Sequence, residues 1–178
     1  MQRKVRVGLI STSWFAEWNL IPNTQSHPDA KLVSICGRQL DRAKDVAKRY
    51  GIEKVYTDYK ELIRSDDLDA VIVGSPDDLH YEMVIHALSQ RKHVFCEKPL
   101  TTRLEDAKSL VQTAEEKQRV NAVNFGYSGY PLVRQMRAAV QRGELGKVRV
   151  VFAEFAGGFF ADAADSDNPR VRWRFDPE

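Results

Sequence analysis

The stretch His93-Val94-Phe95-Cys96-Glu97-Lys98-Pro99 joins a short apolar run to a charged turn. The run is typical of a buried strand in a parallel sheet. Open α/β sheets bind their ligands at the carboxyl ends of such strands, which is where Lys98 then lies. An ammonium at that position can exchange a proton with a substrate hydroxyl, and Glu97 beside it can hold the ammonium in place. The alternative is an exposed turn with a solvated ion pair, since Glu-Lys-Pro also occurs by chance.

The chain up to residue 125 alternates apolar runs with helical periodicity, which indicates βαβ units. Strands are predicted at 5–10, 31–36, 69–74, 92–96 and 120–125, and Val55-Tyr56 is too short to assign. The crossovers between parallel strands are right-handed almost without exception. The pattern therefore predicts a Rossmann-like, doubly wound parallel sheet.

The predicted helices have clear apolar faces and end signals. Gly51 follows the helix Leu40–Tyr50 where a C′ residue belongs. The spacing of Thr102 and Glu105 predicts a capping box with Thr102 as N-cap. The inward positions are predicted to be Met83, Val84, Ala87 and Leu88 in one helix, and Leu104, Ala107, Leu110, Val111 and Ala114 in the next.

Residues 126–178 differ in character from residues 1–125. A turn-rich stretch, 126–131, leads into a predicted helix and then a long, β-branched and aromatic strand from Lys147 to Phe155. We interpret 1–125 as one domain and 126–178 as the truncated beginning of a second, α+β domain. An unpaired apolar strand of this kind invites association, which predicts a homo-oligomer formed through the C-terminal strand region.

Composition excludes several classes of protein. The formal net charge is +2 with both signs interleaved, which differs from the basic stripe of a nucleic-acid binder. No apolar run is long enough to cross a bilayer, and the N-terminus lacks a signal-peptide core. Cys36 and Cys96 lie in apolar runs without metal-ligand spacing. We expect buried thiols in a reducing compartment, a cytoplasmic protein, and no metal, membrane or nucleic-acid partner.

Several short segments, taken in order, resemble one known family. They are Val7-Gly8-Leu9-Ile10, Ser75-Pro76-Asp77-Asp78-Leu79-His80, Glu97-Lys98-Pro99-Leu100, Gly143-Glu144-Leu145-Gly146-Lys147-Val148 and Trp173-Arg174-Phe175-Asp176-Pro177. Together they resemble the Gfo/Idh/MocA family of nicotinamide-dependent sugar and polyol oxidoreductases, over essentially the whole chain.

The resemblance implies a reaction of the EC 1.1.1 type on a sugar-like small molecule. Hydride would pass between C4 of the nicotinamide and a carbinol carbon, while Lys98 binds the hydroxyl and assists its proton transfer. Glu97 would orient Lys98, and Pro99 would shape the turn.

Further cofactor contacts are implied in the loop after the fourth strand. Ser75, Pro76 and His80 would line the cofactor groove. Alternatively, His80 caps or braces its own helix, and Asp77 and Asp78 complement the charge at a helix start.

The turn after the first strand departs from the family pattern. Its Gly-x-Gly-x-x-Gly/Ala motif falls on Ser11-Thr12-Ser13-Trp14-Phe15-Ala16, with serine at both leading glycines. Ser11, Thr12, Ser13 and the amides of Trp14 and Phe15 would meet the diphosphate. A left-handed conformation at either serine would cost roughly 1–2 kcal/mol. The alternative is an ordinary strand-to-helix turn with Ser13 as N-cap.

The end of the second strand bears on the choice of cofactor. The fold often carries an acidic residue roughly 20 residues beyond the turn, which binds the ribose hydroxyls. Here the sequence reads Cys36-Gly37-Arg38, with Gly37 where aspartate is frequent in the family. We therefore expect NADP(H) to be favoured, with NAD(H) possible. Arg38 could also simply occupy a surface turn.

The chain also ends before the family's downstream aspartate and histidine. The resemblance therefore implies a fragment of a longer NAD(P)-dependent oxidoreductase, in which the second half of the catalytic site is missing from this chain. The alternative is a non-catalytic regulatory or sensing protein of the same fold that binds the dinucleotide without turnover.

Overall fold

The computed structural model of the protein describes residues 3–156. The chain divides into two compact units between Gly129 and Tyr130. The first unit contains one six-stranded sheet in the order β3-β2-β1-β4-β5-β6, and every pairing is parallel. The strands are β1 (Val5–Ile10), β2 (Ala30–Cys36), β3 (Lys54–Tyr56), β4 (Ala70–Val73), β5 (His93–Cys96) and β6 (Asn121–Val123). The order reverses between β1 and β4, which makes their carboxyl ends the topological switch point. The predicted Rossmann-like sheet is confirmed.

Helices cover both faces of this sheet. A π-helical segment, Ala16–Leu20, continues into α1 (Ile21–Ser26), and 3-10 turns lie at Asp77–Leu79 and Gly126–Gly129. The remaining helices of the first unit are α2 (Leu40–Tyr50), α3 (Tyr59–Arg64), α4 (His80–Ser89) and α5 (Leu104–Glu116). Leu9 packs with α1 and α2 in one apolar cluster, whereas Ile10 packs with α3, α4 and α5 in the other. This follows from the alternation of strand side chains.

Local predictions for the helices are confirmed in part. Gly51 ends α2 at φ +63°, and all four predicted inward residues of α4 are buried. In α5, Leu110 and Ala114 are buried, but Leu104 is 68% and Val111 51% exposed, so the prediction was wrong for those two residues. The apolar stripe of α5 is wider than the surface that α4 and the three-residue strand β6 offer it.

The predicted capping box of α5 was also wrong. The N-cap residue is Arg103, one position after Thr102, and it makes no side-chain cap. The hydroxyl of Thr101 instead donates to the Arg103 carbonyl at 2.7 Å. The helix therefore begins too late for Thr102 to serve its first turn.

The second unit begins with α6 (Pro131–Gln141). The strand predicted from Lys147 to Phe155 was wrong, because these residues carry no strand in the described structure. A strand must pair its N–H and C=O groups with a neighbouring strand, and the described part of this unit contains no strand that could serve as the partner. The segment Trp173–Pro177 lies outside the described residues. Across residues 3–156, no helix combines the length and apolarity that a membrane crossing requires.

Candidate functional site

Three loops that carry predicted site residues leave the same edge of the sheet, after β1, β4 and β5. The Gly74 N–H donates to the Ile10 carbonyl at 3.1 Å, and the Glu97 N–H donates to the Val73 carbonyl at 2.8 Å. A Cβ on Gly74 would stand 3.3 Å from the Cβ of Ser11. The structure therefore brings the three loops together at the switch point, as the parallel topology requires.

The two serines of the first turn bond to each other and to the helix. The Ser13 N–H donates to Ser11 Oγ at 3.2 Å, and the Ser11 hydroxyl donates to Ser13 Oγ at 3.0 Å. Ser13 Oγ also accepts from the Ala16 N–H at 3.2 Å, so Ser13 caps the helix as the alternative interpretation predicted. Because Ser13 Oγ accepts from two donors, its own hydroxyl hydrogen is left to donate to a ligand.

Neither serine is strained. Among the described residues other than glycine, only Arg91 and Gln118 have positive φ. The free-energy cost of a left-handed backbone conformation, considered above for Ser11 and Ser13, therefore does not arise. Ala16, at the third position of the glycine motif, is fully buried, which allows close packing of helix and strand.

Thr12 and Gly37 are in tight contact. A Cβ on Gly37 would lie 2.4 Å from Thr12 Cγ2, closer than any real contact. The turn is also tied to α2, because Arg42 Nε donates to the Thr12 carbonyl at 2.7 Å. Arg42 Nη2 donates to Glu17 Oε1 at 3.0 Å as well. Sequence reasoning missed Arg42, although its place in the first turn of α2, just beyond Arg38, was a usable signal.

Aromatic rings surround the start of the first helix. Trp14 and Phe15 meet edge to face with ring centroids 5.9 Å apart, and Trp18 lies 6.1 Å from each of them. Trp14 is 43% and Trp18 69% exposed. Arg38, at the end of β2, is also exposed.

Lys98 lies at the carboxyl end of β5 with an exposed side chain. Glu97 is buried, and its carboxylate accepts from Asn124 Nδ2 at 2.5 Å and from the Lys98 N–H at 3.4 Å. No ion pair to the Lys98 ammonium is found within residues 3–156. The expected Glu97–ammonium contact is therefore replaced by a contact with the backbone, since the carboxylate is directed toward β6. The Lys98–Pro99 peptide bond is cis.

His80 differs most from its expected role. The ring is fully buried, with Nδ1 2.6 Å from the Pro99 carbonyl oxygen and Nε2 2.9 Å from the Ser75 carbonyl oxygen. Because both nitrogens face backbone carbonyls, His80 does not line a groove, and this expectation was wrong. Ser75 is partly buried and Pro76 exposed.

The thiols take no part in this site. Burial raises the pKa of both Cys36 and Cys96 to about 12, which keeps them protonated at neutral pH. Both are free and buried, as predicted. The described residues contain no His, Cys, Asp and Glu cluster able to hold a metal ion.

Comparison with known proteins identifies the family. A family model described as "Oxidoreductase family, NAD-binding Rossmann fold" matches residues 5–125. A dTDP-3,4-didehydro-2,6-dideoxy-alpha-D-glucose 3-reductase from Actinomadura kijaniata is 36% identical over 85% of this chain and 45% of its own length. A myo-inositol 2-dehydrogenase from Thermotoga maritima is 29% identical over 85% of this chain and 49% of its own.

A solved structure agrees with these sequence relatives. The crystal structure of a 3-ketoreductase from Actinomadura kijaniata in complex with NADP superposes with a TM-score of 0.75 at 35% identity. The alignment covers 83% of this chain and 47% of the ketoreductase chain. This chain thus spans less than half the length of each of these three proteins. The match over residues 5–125 establishes that the chain belongs to the Gfo/Idh/MocA oxidoreductase family and contains its NAD-binding Rossmann fold.

Proposed function

We propose that this chain is the dinucleotide-binding part of an NAD(P)-dependent oxidoreductase that acts on a hydroxyl or carbonyl group of a sugar, polyol or related compound. The observation that carries the proposal is the exposed Lys98, held by its backbone at the sheet edge that also carries the Ser11–Ser13 turn. The named relatives, a sugar 3-reductase and an inositol dehydrogenase, support this class of substrate. Their greater length supports a partner acid or base supplied by a segment beyond this chain.

The proposed cofactor is NADP(H), with NAD(H) as the second choice. Gly37 offers no carboxylate to the ribose hydroxyls, and the adjacent Arg38 is exposed and cationic, which favours a 2′-phosphate. Thr12 fills the space that a side chain at position 37 would need. The related ketoreductase crystallised with NADP supports the same choice.

The proposed chemistry divides between the turn and the lysine. The helix start after Ser13 favours an anionic diphosphate, and the Ser13 hydroxyl adds a donor. The nicotinamide, when bound, supplies or accepts the hydride. Lys98 would hold the substrate oxygen and transfer the proton that leaves a hydroxyl on oxidation or joins a carbonyl on reduction.

Calorimetric titration of the purified chain with NADPH and NADH tests the cofactor assignment. We expect tighter binding of NADPH, and Arg38→Ala should weaken NADPH about tenfold or more, because a charge-assisted hydrogen bond is lost. NADH binding should be unchanged in that variant. Failure to bind either nucleotide would contradict the proposal.

A screen of sugars and polyols tests the lysine. Any turnover should disappear in Lys98→Met, while NADPH affinity stays within about twofold because the nucleotide contacts remain. Nucleotide binding without turnover by a longer chain that includes the partner acid or base would instead favour the non-catalytic, sensing alternative.

A further inference from the structure

We propose that His80 is a positioning residue that fixes Lys98 by joining the loop after β4 to the loop after β5. Its relevance to catalysis rests on the proposed role of Lys98. The joining itself rests on the place of the imidazole ring, whose Nδ1 lies 2.6 Å from the Pro99 carbonyl oxygen. A neutral ring carries one N–H and donates to one carbonyl, and we assign that donor to Nδ1 because its contact is the shorter of the two.

The helix that carries His80 is firmly packed against the core. His80 is the first residue of α4, and that helix buries Met83, Val84, Ala87 and Leu88 in the core. A ring carried by a well-packed helix can hold a loop at a fixed distance from the sheet. The Pro99 carbonyl, 2.6 Å from Nδ1, directly follows Lys98 in the chain.

Lys98 is consequently restrained on both sides of its Cα. Its own N–H donates to the Glu97 carboxylate, which Asn124 holds in turn. On the other side, the carbonyl of the following residue, Pro99, is held by His80. The backbone of Lys98 is therefore fixed while its ammonium stays exposed, which suits a group that must meet a substrate in one position.

The choice of histidine also needs an explanation. A phenyl ring would fill this buried space without the cost of burying polar nitrogens, which is recovered only through hydrogen bonds. Nε2 lies 2.9 Å from the Ser75 carbonyl oxygen, in the loop expected to line the cofactor groove, but it is an acceptor when Nδ1 carries the proton.

Three substitutions separate the two contacts. The amide nitrogen of His80→Asn replaces Nδ1, that of His80→Gln replaces Nε2, and His80→Phe replaces neither. His86→Phe is the matched control, since His86 lies on the same helix and its Nε2 has no hydrogen-bond partner. Hydrogen exchange read by mass spectrometry on peptides covering residues 97–102 reports the order of the lysine loop.

We expect exchange in residues 97–102 to rise about tenfold in His80→Gln and His80→Phe, because one hydrogen bond is lost. His80→Asn should keep the slow exchange, and His86→Phe should match the wild type. Equal exchange in all variants would overturn the proposal. A uniform rise that includes β1, or no difference between Asn and Gln, would also overturn it, since a purely structural role predicts both.

One further measurement tests the proposal without any substitution. A long-range ¹H–¹⁵N spectrum of the wild type should show a proton on His80 Nδ1, and an unprotonated Nδ1 would contradict the proposal. Exchange requires no nucleotide. Absence of NADPH binding by the wild type would therefore contradict the proposed function, while the exchange result still decides the role of His80.

Discussion

At the scale of single residues, the turn after β1 accommodates serine at both glycine positions of the motif without strain. Ser11 and Ser13 have ordinary backbone angles, and their hydroxyls satisfy each other and the helix start. Gly74 provides the space for the Ser11 side chain on the neighbouring loop. A hydroxyl thus stands where the family motif has bare backbone, so a phosphate bound at this turn, as proposed, would meet a side-chain donor as well as amides.

Thr12 and Gly37 lead to a prediction about cofactor choice. Gly37→Asp should lower stability by about 1–3 kcal/mol, because the new Cβ overlaps Thr12 Cγ2, and it should not improve NADH binding. Combining it with Thr12→Gly should restore stability and raise NADH affinity. Thermal unfolding and calorimetry measure the two effects, with Thr12→Gly alone as control. Wild-type stability in the single Gly37→Asp variant would show that the overlap is relieved elsewhere.

Sequence reasoning placed the candidate residues at one edge of the sheet but did not predict their hydrogen-bond partners. The position of Lys98 at a strand end follows from the apolar run before it. The direction of the Glu97 carboxylate toward Asn124, and of the His80 ring toward two carbonyls, depends on loops that only the tertiary fold brings together.

At the scale of elements, the starts of β1 and β4 are held together by charge. The Asp69 carboxylate accepts from the Arg6 N–H at 2.9 Å, from Arg6 Nη2 at 3.0 Å and from Arg3 Nη2 at 2.6 Å. The bonds from Arg6 lower the pKa of Asp69 to about 2. The side chain is 26% exposed, so solvent screens the pair only in part.

Asp69→Asn should destabilise the protein by about 2 kcal/mol at pH 7. A depressed carboxyl pKa stabilises the fold fully above the unfolded value of 3.8, and the gain is lost as the pH falls toward 2. The difference between wild type and variant should therefore shrink from about pH 4 downward, as measured by urea unfolding at several pH values. Asp66→Asn, an exposed control, should have little effect. A difference that does not depend on pH would rule out the charge as its cause.

Gly8→Ala tests the packing of β1 against its neighbours. A Cβ there would lie 2.7 Å from Leu68 Cδ1 and 2.9 Å from both Leu62 Cδ2 and Ser34 Oγ. Overpacking of this kind should cost about 1–3 kcal/mol in chemical unfolding. Gly129→Ala, where a Cβ would meet nothing within 4 Å, is the matched control and should change stability little. Equal stability of the two variants would mean that the core accommodates the added methyl group without loss of stability.

The strands and most helix faces were predictable because the spacing of their apolar residues matches the positions that are buried in the structure. The outer residues of α5 and the segment 147–155 were not, since their sequences are equally apolar whether or not a partner surface exists. Leu104, Val111 and Val151 have the composition of core positions and lie exposed. Burial depends on what the rest of the fold places opposite, which a local pattern does not contain.

At the scale of the whole molecule, the described structure exposes much apolar surface. Val151 is 76% and Phe152 96% exposed in the second unit, and Leu104 and Val111 are exposed on α5 of the first. Monomeric proteins seldom leave large contiguous apolar patches uncovered. We therefore expect this chain to associate with copies of itself or to be poorly soluble.

Size-exclusion chromatography with light scattering tests this expectation. Wild-type chain should elute with a mass above that of the monomer and rising with concentration. Val151→Lys combined with Phe152→Lys should lower the associated fraction, because two exposed apolar side chains are replaced by charges. A monodisperse wild-type monomer at high concentration would contradict the prediction.

The indole pair beside the serine turn gives the protein an optical property. Trp14 and Trp18, with ring centroids 6.1 Å apart, are two of the three tryptophans in the chain. Indole emission overlaps the absorption band of a reduced nicotinamide but not of an oxidised one. A reduced cofactor seated at the turn would quench the ultraviolet fluorescence of these rings by energy transfer, so the unlabelled chain would report the redox state of its own ligand.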